Sequence, residues 1–336
     1  MVNLYSNNKG CVFTCFLDAS KAFDRVNHSI LFEKLSKRGI PNYILRILEY
    51  WYLNQNMFVK WGETSSDLFH VTNGVRQGSI LSPHLFNLYI DDLSEILNKL
   101  HIGCCIGTVI INHLIYADDL VLISPSSRGL HRLLEECEKY GLEHDILFNA
   151  KKSAVICFKS NSTCKFLIPN FKLNNNFIPI VNSIKYLGHF LSDNKSDGLD
   201  IERQRKKIFM QGNTLIRKFS MCTVGVKVKL FNSFCSPLYT AHLWSKYTKN
   251  SISGLYRAYH NTLKLLLGVS KREHTSPICA HLNIRTCQAV IRNLVFRFME
   301  RLENSSNSII VAMSNTCIYY QSAIRKHWRS LLYTNV

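Results

Sequence analysis

Three aspartates carry the chemistry that this sequence could perform. Asp18 ends a short apolar run, Cys11 to Leu17. Asp118 and Asp119 lie between two apolar, β-prone runs, Val109-Ile110-Ile111 with Leu114-Ile115 on one side and Leu120 to Ile123 on the other. Carboxylates gathered from separate elements can hold divalent ions. Two such ions about 4 Å apart can activate an attacking hydroxyl and stabilise a leaving pyrophosphate. Mg2+ suits the role because it takes carboxylate oxygens, water and substrate phosphates, and Mn2+ is a possible substitute. Phosphoryl transfer asks for alignment and charge neutralisation more than for covalent chemistry from the protein. Adjacent carboxylates at a hairpin tip also repel one another unless a cation is present. Taken alone, Asp118-Asp119 reads equally well as a polar turn.

The elements that must position these residues follow from periodicity. Residues 11–17 read as a buried strand running into Asp18. A helix of about 14 residues follows from Arg25, with Asp24 as its cap and Gly39 as its stop. Pro41 opens a second helix with Ile44, Ile47, Leu48 and Trp51 on one face. Residues 57–72 read as a two-stranded hairpin, followed by the glycine-punctuated loop Gly74-Val75-Arg76-Gln77-Gly78. Ser82 caps the next helix and Pro83 begins it, with a core stripe of Phe86, Tyr89, Ile90, Leu93, Leu97 and Leu100. Tyr116-Ala117-Asp118-Asp119 forms the turn between two strands, and a helix covers 127–140. Strands return at 153–158 and 184–191, separated by a loop around Asn174–Asn176. Tyr89-Ile90-Asp91-Asp92-Leu93 imitates the candidate turn, but it lies in a helical stripe, so Asp91 and Asp92 read as a solvated helix face.

Composition narrows the partners. The chain has 336 residues and a net charge of +18. Residues 1–194 hold 19 basic and 17 acidic side chains, whereas residues 195–336 hold 22 and 6. So positive a second half suits a polyanion such as nucleic acid. Arg203, Arg205, Lys206, Lys207, Arg217 and Lys218 are interleaved with Phe209 and Phe219. The cations suit phosphates, and the aromatics read first as core. The twelve cysteines form no paired C-x2-C motif. Cys279, His281 and Cys287 lack a fourth zinc ligand, so the thiols read as scattered and reduced in an intracellular protein, nuclear or cytoplasmic. The sequence shows no signal peptide, no run of about 18 apolar residues and no lipidation motif or basic amphipathic anchor, so no membrane partner is expected, although an acidic lipid surface would also suit the charge.

Five segments in order resemble the reverse transcriptases of non-LTR (LINE-like) retrotransposons. Phe16-Leu17-Asp18-Ala19-Ser20-Lys21-Ala22-Phe23-Asp24-Arg25-Val26-Asn27-His28 is similar to motif A, and Gly74 to Pro83 to motif B. Tyr116-Ala117-Asp118-Asp119 resembles motif C, Asn149-Ala150-Lys151-Lys152-Ser153 motif D, and Lys185-Tyr186-Leu187-Gly188 motif E. The resemblance implies an α+β right-hand polymerase fold. A palm of antiparallel sheet with packed helices and partial fingers would span 1–194. A helical, basic, thumb-like domain would span 195–275, and a helical extension 276–336.

It also implies roles. Asp18 and Asp118 would bind two Mg2+ ions with the Ala19 carbonyl, and Asp119 would assist. Ala19, Ser20, Lys21, Ala22, Phe23, Gln77 and Gly78 would meet the incoming deoxynucleoside triphosphate. Phe23 would exclude ribonucleotides, although its spacing equally fits a core aromatic. Lys152 would donate a proton to pyrophosphate, or is a solvated lysine. Tyr116, Tyr186, Leu187, Gly188, Arg203, Lys206 and Lys207 would contact an RNA template and DNA primer. Only 17 residues precede Asp18, where family members carry longer fingers, so the chain reads as an N-terminally truncated element. Two alternatives stay open: a catalytically inactive nucleic-acid-binding remnant, and an RNA-dependent RNA polymerase.

Overall fold

In the computed structural model, which describes Val2, Tyr5 and residues 10–159 and 167–333, the first apolar run forms strand β1 (Val12–Asp18), buried until it reaches Asp18. Two compact units make up the chain, Met1–Val181 and Asn182–Val336.

In the first unit a 3-10 turn, Phe23–Arg25, leads to α1 (His28–Lys37) and α2 (Asn42–Leu53). Short pairs, Asn56–Met57 with Phe69–His70 and Lys60–Trp61 with Thr64–Ser65, form the expected hairpin. Then come α3 (Ser82–Lys99), β2 (His113–Tyr116), β3 (Asp119–Ser124), α4 (Ser127–Glu143) and β4 (Ala154–Phe158). One antiparallel sheet runs in the order β4-β1-β3-β2. Phe13, Cys15 and Leu17 alternate onto one face. They join a core with Leu120 and Leu122 of β3, Phe86 and Tyr89 of α3, and Leu130 and Leu133 of α4. This is the palm-like α+β arrangement expected.

Several local expectations change. Asn27, not Asp24, caps α1: its side chain accepts from the backbone N–H of Ser29 and Ile30 at 3.0 and 3.3 Å. The helix cannot begin at Arg25, because Val26 and Phe23 give their carbonyls to Gly74 and Val75 instead. α2 buries Leu45, Leu48 and Tyr52, while Ile44, Ile47 and Trp51 stay exposed. That helix is apolar on most sides, so its packing partners choose the face. Ser82 is the first buried residue of α3 and donates its hydroxyl to the Arg76 carbonyl at 2.5 Å rather than capping. The Asn-rich loop is a tight turn, with Asn174 and Asn175 at positive φ between strands Phe171–Leu173 and Asn176–Ile178.

Asp91 and Asp92 lie on a helix as expected, but they are not merely solvated. Asp91 pairs with Arg38, and Asp92 accepts from Lys34 at 2.9 Å. Lys34 is buried and also donates to the Tyr89 carbonyl and the Tyr140 hydroxyl at 2.6 and 2.8 Å. Lys34→Ala strips these bonds and should lower stability by about 2 kcal/mol in urea denaturation. The half-exposed Asp92 pair adds little to that figure. A loss under about 0.5 kcal/mol would contradict this account.

In the second unit β5 (Ser183–Tyr186) and β6 (His189–Ser192) form a hairpin where one strand over 184–191 was expected. Helices α5 (Gly198–Phe219), α6 (Val224–Phe234), α7 (Lys249–Leu267), α8 (Cys287–Glu303) and α9 (Ala323–Tyr333) follow. The second compact unit begins at Asn182, and its hairpin is hydrogen-bonded to Asp200 of α5. Residues 195–275 and 276–333 share one core that includes Ile201, Tyr259, Val295 and Trp328. Among the described residues no helix is long and apolar enough to cross a membrane, and every described cysteine is a free thiol.

Candidate active site

Antiparallel register places the aspartates together. Asp18, the last residue of β1, stands opposite Asp119, the first residue of β3. Tyr116 pairs with Asp119 across a turn whose two central residues are Ala117 and Asp118. Ala117 has φ 53, a left-handed conformation that costs a non-glycine residue strain and is concentrated at functional turns. The hairpin is braced at its other end, where the His113 ring lies 2.7 Å from Ser94 Oγ and 2.6 Å from Asn112 Oδ1.

Asp18 is half-buried, while Asp118 and Asp119 are open to solvent. Burial, then the Asp118 and Asp18 carboxylates, push the Asp119 carboxyl above its ordinary value. Among the described residues no basic side chain forms an ion pair with any of the three. Nor is any group of three or more His, Cys, Asp or Glu side chains arranged to hold a metal ion, and this includes Cys279, His281 and Cys287. The aspartates thus share one end of the sheet without closing a cage. Such a donor set fits Mg2+, which keeps water and recruits substrate phosphates rather than filling an all-protein site.

The motif D-like segment is bonded to the backbone around Asp18. Ser153 Oγ accepts from the Asp18 N–H at 3.1 Å and donates to the Asn149 carbonyl at 2.7 Å. Asn149 N–H donates to the Asp18 carbonyl at 2.9 Å, and Ser20 N–H to the Leu147 carbonyl at 2.8 Å. These bonds leave the Ala19 carbonyl out of the Ala19–Phe148 bridge. Lys152 sits exposed in the same turn. Sequence reasoning missed Ser153 as a support. Its position at the start of a buried strand, directly after the lysines, was the available signal.

The loop at 74–78 docks on the segment after β1. Gly74 has φ 93, and a Cβ there would lie 2.8 Å from the Asp24 carbonyl oxygen, so only glycine permits the approach. His28 Nε2 lies 2.8 Å from the Gly74 carbonyl. Gln77 donates from Nε2 to Asp24 Oδ1 at 2.9 Å, and Gly78 has φ 85. Phe23 is half-buried and stacks on Phe86, with ring centroids 4.8 Å apart. Ser20 is half-buried, Lys21 is exposed at φ 50, and Ala22 is buried.

Residues 2–191 match the family model described as reverse transcriptase (RNA-dependent DNA polymerase). The chain belongs to the reverse transcriptase family. Its relatives place this reverse transcriptase among those of non-LTR, LINE-like elements. It is 32% identical over 178 residues to the Retrovirus-related Pol polyprotein from type-2 retrotransposable element R2DM of Drosophila melanogaster, a match covering 51% of the chain and 17% of the relative. It is 24% identical over 317 residues to the RNA-directed DNA polymerase from mobile element jockey of the same species, covering 90% of the chain and 33% of the relative. The chain therefore spans a third or less of these relatives. A telomerase structure from Candida albicans, in complex with the TWJ fragment of telomeric RNA, overlaps 100% of the chain and 54% of its own at TM-score 0.47 and 11% identity.

In the second unit of this reverse transcriptase, Tyr186 closes the β5–β6 turn opposite His189. Leu187 and Gly188 form the turn at φ 44 and 79. Lys206 is exposed and Lys207 half-buried on α5. Arg203 is partly buried, and its guanidinium donates to Asp200 Oδ1 at 2.7 and 3.0 Å and to the Gly188 carbonyl at 2.6 Å. The two interleaved aromatics divide: Phe219 is partly buried and packs against the core, whereas Phe209 is exposed.

Proposed function

We propose that this chain is an RNA-directed DNA polymerase that adds deoxynucleotides to a primer 3′-hydroxyl on an RNA template. The observation that carries the reading is the register of Asp18 against Asp119, with Asp118 in the adjoining turn and, among the described residues, no cationic side chain paired with any of them. Family membership supports it. Asp18 and Asp118 would hold two divalent ions with the Ala19 carbonyl, and Asp119 would assist. When bound, those ions would neutralise the attacking 3′-oxygen and the departing pyrophosphate.

The protein's own residues would do the remaining work. Ser153 and Asn149 fix the strand end that presents Asp18. Lys152, in the same bonded turn, would protonate pyrophosphate. Ser20, Lys21 and Ala22 would line the triphosphate's approach. Gln77, oriented by Asp24, and Gly78 would meet the nucleotide where the loop backbone lies open. Tyr116, Tyr186, Leu187, Gly188, Lys206 and Lys207 would contact the template–primer, the lysines through its phosphates.

Phe23 would select the sugar, because its stack on Phe86 holds the ring against yielding to a 2′-hydroxyl. Phe23→Ala should reduce discrimination between deoxy- and ribonucleotides by about 10-fold or more. The ratio of kcat/KM values measures this, and an unchanged ratio would reduce Phe23 to a core aromatic.

The overall test is extension of a DNA primer on an RNA template by the purified chain. Extension with deoxynucleotides in Mg2+ or Mn2+ is expected. Salt-dependent binding without extension, or a preference for ribonucleotides, would overturn the reading.

A further inference from the structure

Asp200 has no exposed surface. An ionised carboxylate survives there only if donors replace its hydration. Trp244 Nε1 donates to it at 2.8 Å, Thr240 Oγ1 donates to the same oxygen, and His189 Nδ1 lies 3.1 Å away. Phe190 N–H donates to its other oxygen at 3.3 Å, and Arg203 donates to that oxygen from both Nε and Nη2. The same Nη2 also reaches the Gly188 carbonyl at 2.6 Å.

Three consecutive residues of the hairpin, Gly188, His189 and Phe190, are therefore each held by Asp200 or Arg203. They follow directly on Leu187, which carries φ 44 and is 42% exposed. Leucine is strained in that conformation, and a half-exposed side chain recovers little from burial. Positive φ at both central residues makes the tight two-residue turn that matches strand twist, normally built from Asn and Gly. Such strain persists only where the surroundings over-determine it. Here the surroundings are the Asp200–Arg203 pair beneath the turn and the Tyr239 ring beside it, 3.1 Å from where a Cβ on Gly188 would stand.

We infer that Asp200 and Arg203 are positioning residues that hold the Leu187–Gly188 tip in the shape that supports a primer strand. The inference rests on the polymerase reading, in which this hairpin touches the primer. Arg203 acts through the turn and not by meeting phosphate. Its fork joins carboxylate and carbonyl in a way that lysine, a single point charge, cannot repeat.

The test uses the full chain with Arg203→Lys, Arg203→Met and Leu187→Glu. Amide hydrogen exchange over residues 187–190 reads the lock. Fluorescence anisotropy with a labelled DNA primer annealed to an RNA template reads its consequence. In Arg203→Met, exchange at the tip should rise on the order of tenfold while the buried segments of α5 and α7 keep their protection, and affinity should fall about five- to tenfold. Arg203→Lys keeps the charge and should still lose about half of that effect on a logarithmic scale. A direct phosphate contact would instead leave the lysine variant at wild-type affinity, and that result would overturn the inference. So would unchanged exchange at the tip in both variants, or faster exchange with unchanged affinity while Leu187→Glu weakens binding. If Leu187→Glu itself leaves affinity intact, the hairpin is no primer support, and that part of the polymerase reading falls with the inference even if the chain extends primers.

Discussion

Asp118→Asn should lower primer extension by at least about 10³-fold, or about 4 kcal/mol of transition-state stabilisation. The substitution is nearly isosteric, and Asp118 lies in an exposed turn with no protein partner to lose among the described residues. Its backbone place between Ala117 and Asp119 is kept, so the β2–β3 hairpin should hold its register. What disappears is one of three clustered negative charges. The amide can neither balance a divalent ion as a carboxylate does nor leave the same field at Asp119. That carboxyl, held high partly by Asp118, should titrate closer to its ordinary value in the variant. Affinity for template–primer should stay within about twofold, since phosphate contacts come from cationic side chains. Extension and anisotropy on one preparation separate the two quantities. A variant that extends within about tenfold of the wild type would remove Asp118 from the metal site.

The second large effect is on stability. Asp200→Asn should destabilise the second unit by about 3–5 kcal/mol, the range for breaking a buried, hydrogen-bonded charge pair. The amide keeps the shape but turns donors toward donors and leaves Arg203 without its counter-charge. The same network sets a pH dependence. Burial raises the Asp200 carboxyl, but hydrogen bonds from His189, Thr240, Trp244 and Arg203 outweigh it and hold the group well below the usual carboxylate range. A depressed carboxyl contributes its stability above the unfolded-state value, near 4, and loses it as pH falls toward the folded value. Denaturation midpoints of the wild type should therefore drop below about pH 4, and Asp200→Asn should flatten that slope. A variant as stable as the wild type at pH 7, with the same acid slope, would show that the network contributes little.

The sequence by itself determined the pieces whose signals are local. Strand β1 and the β2–β3 hairpin announce themselves as short apolar, β-branched runs. Asp18 and Asp118-Asp119 stand out because they interrupt such runs at their ends. Asp91-Asp92 was separable because its flanks repeat at helical spacing, and family motifs in order turned an ambiguous acidic turn into a candidate polymerase site. Tertiary structure decided whatever depends on residues far apart in the chain. Asn27 rather than Asp24 caps α1 because the 74–75 loop takes the carbonyls before it. α2 buries Leu45, Leu48 and Tyr52 because its neighbours, not its own composition, select a face. Ser153 became a support for Asp18 only when β4 came to lie beside β1. Arg203, one cation among many in a basic stretch, turned out to be hydrogen-bonded to Asp200 and to the Gly188 carbonyl, because residues distant in the chain meet it in space. As for the three aspartates, composition and order named them. The antiparallel register of β1 and β3 brought Asp18 opposite Asp119, because pairing energy and the hydrophobic face permit one alignment, and a slip of one residue would turn Asp18 to the other face of the sheet.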